Sequence, residues 1–296
     1  MYHITHDVST NCVSIKHKSY GVFALVNLNH GGSLQELILN NIELIASLNP
    51  LPYIETYASA ILFPFANRVE DGKYGFNGDV FQLDINNIEE NNAIHGLVYN
   101  KLFSIKSQFA DDDQADLVLE YDYNELNEGF PFPFTIQLKY TFTKNRLKLK
   151  VFVQNKGDSP FPYTIGWHPY FYSEQLNTST VEFKSGFKLE MDNRNIGIGL
   201  QNIAAQERLS LKDKTLDDCW KLDSDPVVFK TPQYSLKLSS SEPHGFLQIY
   251  TPSKKNTIAI EPTSGVSNSF NTKIGLKTLK PNDQFEIIWR LTIDSN

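Results

Sequence analysis

The feature that most restricts how this chain can fold is an alternation of apolar and polar residues with a period of two. In 147–155, Leu147, Leu149, Val151 and Val153 fall on one side, while Lys148, Lys150 and Gln154 fall on the other. The pattern recurs with Leu117, Leu119, Tyr121 and Tyr123, and again with Ile136, Leu138, Tyr140 and Phe142. Near the C-terminus Phe285, Ile287, Trp289, Leu291 and Ile293 alternate against Glu286, Arg290 and Thr292. Extended chain alone gathers such residues onto one face, and a one-residue slip would turn that face into water. Turn-forming residues separate the segments at Thr143-Lys144-Asn145-Arg146, at 252–256 and at Pro281-Asn282-Asp283,. The spacing predicts a hairpin over 135–155. Residues 33–48 fit either a helix through Leu34, Leu37 and Ile38 or a hairpin; Asn40-Asn41 between short apolar runs favours the hairpin,. Elsewhere no helical stripe extends beyond about two turns. No repeat, low-complexity tract or linker divides the chain. The expectation is a single all-β domain over 1–296, a large, mostly antiparallel β-sandwich.

Composition excludes several function classes. Twenty-seven Lys and Arg stand against 34 Asp and Glu, a net charge of −7, and no basic run is present. Neither nucleic acid nor an anionic membrane surface is an expected partner. No stretch approaches the roughly 18 apolar residues of a membrane span, and the N-terminal residues lack a signal-peptide pattern. The two cysteines, Cys12 and Cys219, form neither a disulfide framework nor a C-x-x-C motif, which suits a reducing, cytoplasmic setting. No H-x-H or H-x-x-x-H spacing suggests a metal, so no cofactor is expected. A neutral small molecule is the partner that fits this balance, and the sequence leaves the oligomeric state open.

Four places break the strand pattern with polar groups. Asn67-Arg68 follows the apolar run from Phe63 and precedes a glycine-punctuated stretch at Gly72, Gly75 and Gly78; a strand end with a surface arginine explains it equally well,. His95 precedes Gly96, a context in which histidine is more often structural than catalytic. In 163–171, parity places Thr164, Gly166, His168 and Tyr170 on one face, with Gly166 expected to leave open space and Pro169 holding His168 out of helical conformation,. In 257–262, Ile258 and Ile260 share one face, and Ala259 and Glu261 the other. Asp217 and the mid-strand Gln248 are lesser candidates. The adjacent Asp218 is not separated from Asp217 by sequence alone.

Taken in order, these segments resemble the aldose 1-epimerase (galactose mutarotase) family. The matching residues are Pro64-Phe65-Ala66-Asn67-Arg68-Val69 with Asp71-Gly72-x-Tyr74, then Asn92-x-x-His95-Gly96 and Gly166-Trp167-His168-Pro169-Tyr170-Phe171. Leu216-Asp217-Asp218, Gln248-Ile249-Tyr250-Thr251 and Glu261-Pro262, with Leu279-x-Pro281 beyond, complete the set, which spans about residue 55 to the C-terminus. The resemblance implies a β-supersandwich and interconversion of the α and β anomers of a free aldose. It implies Glu261 as general base, His168 as general acid and His95 as a second imidazole near the ring oxygen. Arg68, Asp217 and Gln248 would hold sugar hydroxyls, and Asn67 would help position that wall. Two departures lie beside the implied pocket and bear on the preferred sugar: Leu97-Val98 follows Gly96 where many members carry a further glycine, and Tyr57–Leu62 replaces a glycine-rich lead-in.

The implied chemistry suits these residue types. Ring opening removes the anomeric proton while delivering one to the ring oxygen, which a carboxylate and an imidazole on opposite sides of the ring could do without metal or nucleotide. Two other readings fit the same fold. One is a non-catalytic carbohydrate-binding or regulatory protein. The other is a β-sandwich glycosidase or lyase, which would need a second carboxylate such as Asp217 beside Glu261.

Overall fold

The computed structural model describes residues 1–124 and 127–295. The alternating segments are strands with the expected parity. Ala115–Tyr123, Phe134–Thr143, Arg146–Asn155 and Gln284–Ser295 pair as consecutive antiparallel neighbours, with Leu119 opposite Leu138, Leu138 opposite Val151 and Val151 opposite Ile287. Their inward-facing apolar members are buried, with Tyr121 and Phe285 half-buried at the edge of the core, while Lys139 and Lys150 on the other face pair with Asp116 and Glu286. Residues 33–45 form the hairpin: Ser33–Leu39 pairs with Ile42–Ile45, and both Asn40 and Asn41 have positive φ. Asparagine tolerates the left-handed region better than most residues, which is what so short a connection needs.

The first five strands, from His3–Asp7 to Ile42–Ile45, form a meandering antiparallel sheet. A second sheet of fifteen strands runs from Ser104–Ala110 through the four strands above and on to Thr257–Thr263, Gly166–Trp167 and Ile61–Leu62. One apolar cluster joins the two sheets, containing Val13, Ile15 and Leu34 from the first and Leu117, Leu149 and Val151 from the second. The Tyr140 hydroxyl crosses between the layers to donate to the Gly32 carbonyl at 2.8 Å. Burial of this extent is the dominant favourable term in such a sandwich. Among the described residues the α-helices are two single turns, Tyr53–Thr56 and Ser269–Thr272. No helix among the described residues is long and apolar enough to cross a membrane.

Two crossings fix the segments that interrupted the strand pattern. Thr164 Oγ1 accepts from the Ala66 amide at 2.9 Å, and the Thr164 amide donates to the Pro64 carbonyl at 2.7 Å. Thr164 therefore anchors the 64–68 segment. Gly96 lies beneath Phe63, where the Leu97 amide donates to the Phe63 carbonyl at 2.7 Å. A Cβ on Gly96 would stand 2.2 Å from that carbonyl oxygen, and its φ of +79° is one that other residues rarely adopt. Backbone therefore touches backbone here, and glycine is required for both space and conformation. Gly96→Ala should cost more than about 2 kcal/mol, visible as a Tm lowered by roughly 4 °C or more in a thermal melt. An unchanged Tm would mean that the contact relaxes without cost.

Candidate active site

The floor of the site is laid out by strand register. Asp217–Lys221, Phe246–Tyr250 and Thr257–Thr263 are adjacent, and Cys219 pairs with Gln248, which pairs with Glu261. On the far side of the glutamate strand, Gly166 pairs with Thr263 and Tyr170 with Ala259, so His168 falls opposite Glu261. Cross-strand partners point to the same face. One row therefore reads Cys219, Gln248, Glu261, His168, and the next reads Asp217, Tyr250, Ala259, Tyr170. Residues of both rows line a cavity of about 560 Å3.

His168 Nε2 lies 3.4 Å from Glu261 Oε1, and both side chains are almost completely buried. The histidine backbone is fixed in both directions: its amide donates to the Ala60 carbonyl and its carbonyl accepts from Ser59. Its ring stacks on Tyr170 at 4.9 Å, whose hydroxyl donates to the Thr56 carbonyl. Trp167, with opposite parity, packs in the core against Trp289. The acid and base expected on opposite sides of a sugar ring thus stand side by side. Gly166 also differs from expectation: a Cβ there would lie 2.8 Å from Thr263 Cγ2 and 3.3 Å from Ala66 Cβ, so it permits close packing and clears no space for a ligand.

The second wall carries Asn67, Arg68 and His95. Arg68–Glu70 pairs with Asn92–Ile94, and the His95 amide donates to the Asn67 carbonyl at 3.0 Å. Asn67 and His95 both have positive φ, which turns their side chains into the cavity. Asn67 Oδ1 accepts from the Arg68 amide and from Arg68 NH1. The His95 ring lies 5.2 Å from that of His168, edge to face, with Tyr57 4.6 Å away on another side. Gln248 Nε2 donates to Asp217 Oδ1 at 2.6 Å. Asp218, the alternative, faces away and pairs with Lys188.

Electrostatics push the floor toward uncharged forms. Burial, followed by the nearby Asp217, raises the Glu261 carboxyl well above its ordinary range, with Arg68 opposing. Burial lowers His168 to about 4, and His95 falls well below its usual value through burial and the charges of His168 and Arg68. Desolvation dominates because neither imidazole nor carboxyl has bulk water to solvate a charge.

All seven residues singled out in the sequence line this one cavity: Asn67, Arg68, His95, His168, Asp217, Gln248 and Glu261. Sequence reasoning had not included Glu55, Tyr57, Tyr170, Tyr250 or the 86–90 loop, nor the exposed Ile54 and Ile88. Parity with His168 and Gln248 had already aligned Tyr170 and Tyr250 with the site, whereas the loop offers no periodic signal. Among the described residues no group of three His, Cys, Asp or Glu side chains could hold a metal ion.

A sequence model of the aldose 1-epimerase family matches residues 11–292. The chain belongs to the aldose 1-epimerase family. A relative in Escherichia coli K12, the uncharacterised protein YihR, is 26% identical over 267 residues, covering 84% of this chain and 83% of its own. A galactose mutarotase-like protein from Clostridium acetobutylicum superposes with a TM-score of 0.87 at 22% identity, covering 100% of this chain and 99% of that one. Galactose 1-epimerase from Lactobacillus acidophilus gives 0.81 at 16% identity, with 100% and 99% covered. At these identities the structural likenesses establish the fold.

Burial predicts the protonation of the two histidines in the cavity. His168 should titrate near pH 4 and His95 well below 6.5, so both rings should be neutral at pH 6. A folded-state pKa below the unfolded one gives stability that is present above about pH 6.5 and is lost as pH falls through the folded value. Ring 15N shifts across a pH titration measure this directly. A His168 midpoint at or above 6.5 would contradict the desolvation argument.

Proposed function

We propose that the chain is an aldose 1-epimerase in activity as well as family, interconverting the α and β anomers of a free aldose. The observation that carries this reading is the buried Glu261–His168 contact at 3.4 Å on the floor of a polar cavity. Such a pair can share one proton, and its two ionisations belong to the couple rather than to either residue. When the shared proton passes from Glu261 to His168, the Glu261 carboxylate takes the proton of the anomeric hydroxyl while the His168 imidazolium gives its own to the ring oxygen. The bond from C1 to the ring oxygen breaks and the C1 carbonyl forms. The pair is then neutral, as carboxylic acid and imidazole, the form that burial favours. Rotation about C1–C2 presents the other carbonyl face, and both transfers reverse to close the ring.

Side-by-side placement suits this reaction, because the anomeric and ring oxygens are both bonded to C1. Arg68, Asp217 and Gln248 present charged or amide groups to the cavity, suited to directional hydrogen bonds with sugar hydroxyls,. Neutral His95 stands beside His168, where it can bond the sugar near the ring oxygen. Tyr57, Tyr170 and Tyr250 supply aromatic surface. This chemistry needs no cofactor. A sugar-binding protein without turnover would have no use for so costly a buried acid–base pair. A glycosidase would pair Glu261 with a second carboxylate; Asp217 lines the same cavity but is engaged by Gln248, and the group in contact with Glu261 is the His168 imidazole,. The cysteines are both free, which agrees with our assignment to the cytoplasm.

The test is mutarotation of an aldose panel by polarimetry or NMR against a buffer control. Glu261→Gln should lower turnover by roughly 10²–10⁴-fold while retaining the fold, and His168→Asn should cost more than His95→Asn. Near wild-type rates in a folded Glu261→Gln protein would remove the glutamate from the mechanism.

The cavity also favours a neutral sugar over a sugar phosphate. Its lining carries Glu55, Glu89, Glu90 and Asp217 against Arg68 as the only Lys or Arg. A dianion would enter against that field. kcat/KM for glucose or galactose should therefore exceed that for the corresponding 6-phosphate. A preference of tenfold or more for the phosphate, about 1.4 kcal/mol, would reverse the substrate assignment.

A further inference from the structure

Glu90, outside the family-like motifs, receives donors from three directions. Its Oε2 accepts from Arg68 Nε at 2.6 Å and from Asn87 Nδ2 at 2.8 Å. Its Oε1 accepts from Asn195 Nδ2 at 2.9 Å. Asn195 belongs to a distant turn that is itself fixed, since Asp192 Oδ1 accepts from the Arg194 and Ile196 amides. Arg194 ties that turn to Glu70 and Asp71, at the end of the strand that carries Arg68. On the other side Asn67 Oδ1 accepts from Arg68 NH1 at 3.1 Å. The guanidinium is therefore held through Nε and NH1, which directs its remaining N–H edge into the cavity that it lines.

We propose that Glu90 is a positioning residue that sets the orientation of Arg68 for binding the sugar. This rests on the hydroxyl-binding role assigned to Arg68 above. An ionised carboxylate is required because it only accepts. A glutamine offers one accepting oxygen, so its amide N–H2 would face a donor on one side, whichever way it is turned. The same arithmetic supplies a rescue. In Glu90→Gln combined with Asn195→Asp, the amide oxygen still serves Arg68 and Asn87, while the amide N–H2 donates to the new carboxylate.

The experiment compares wild type, Glu90→Gln and the double variant by mutarotation kinetics. It also follows the Arg68 Nε–H signal in 1H–15N spectra, assigned through its loss in Arg68→Lys. Glu90→Gln should raise KM by about tenfold with kcat within about twofold, the pattern of lost uniform binding. It should also broaden or shift the Arg68 signal, and adding Asn195→Asp should restore both. A merely structural role would lower Tm without this KM-against-kcat split. An unchanged KM, a loss confined to kcat, or a KM defect that Asn195→Asp leaves in place would overturn the assignment. If the wild type turns over no sugar, the epimerase reading fails separately, and the spectrum decides the positioning role. An Arg68 signal indifferent to Glu90→Gln overturns it, and a signal lost and then rescued sustains it.

Discussion

Burying a carboxyl group in the middle of a sheet is the constraint to which the site is built. Glu261 is 2% exposed on a strand every residue of which is buried, with Ile258 and Ile260 directed into the core. An isolated charge there would cost several kcal/mol. The surrounding side chains are those that lessen the cost: an imidazole at 3.4 Å, an amide one strand away, and an arginine on the opposite wall whose charge opposes the upward shift. The same low polarity that makes the carboxylate expensive brings its proton affinity closer to that of the sugar hydroxyl in the proposed reaction. Structural cost and chemical usefulness have one origin.

The two walls solve different problems. The floor is a register problem, because Gln248, Glu261 and His168 align only while three strands keep their pairing. The Arg68 wall is an orientation problem, since a long flexible side chain must be held in one posture. Asn67 and Glu90 hold it from two sides with directional bonds. For the sugar binding proposed above, ordering it in advance spares that entropy cost.

Much of this was legible in the sequence, for physical reasons. Period-two alternation is a local signal, so the hairpin over 135–155 and the parity that sends Trp167 inward and His168 outward follow from neighbours alone. Asn40-Asn41 likewise announces a turn through its own tolerance of positive φ. The features that escaped notice depend on distant partners. Gly166 reads as open space until Thr263 and Ala66 are seen filling it. Asp217 and Asp218 are indistinguishable until Lys188 is seen claiming the second. Glu90 sits in a polar loop with no period, and what distinguishes it is a contact with a residue 105 positions along the chain. The family resemblance supplied roles for residues whose geometry no periodicity could give.

The division between floor and walls has an evolutionary consequence. Inserting one residue into the strand of Glu261 would swing the carboxylate into the core, so the Glu261–His168 contact tolerates no change of length,. At the rim, Ile54, Glu55, Ile88 and Glu89 are exposed and stand outside that pairing, so they can exchange side chains independently,. In the function proposed above, such a scaffold can retune which sugar it accepts while the Glu261–His168 pair stays untouched. A chain sharing as little as 16% identity with this one can then keep the same architecture.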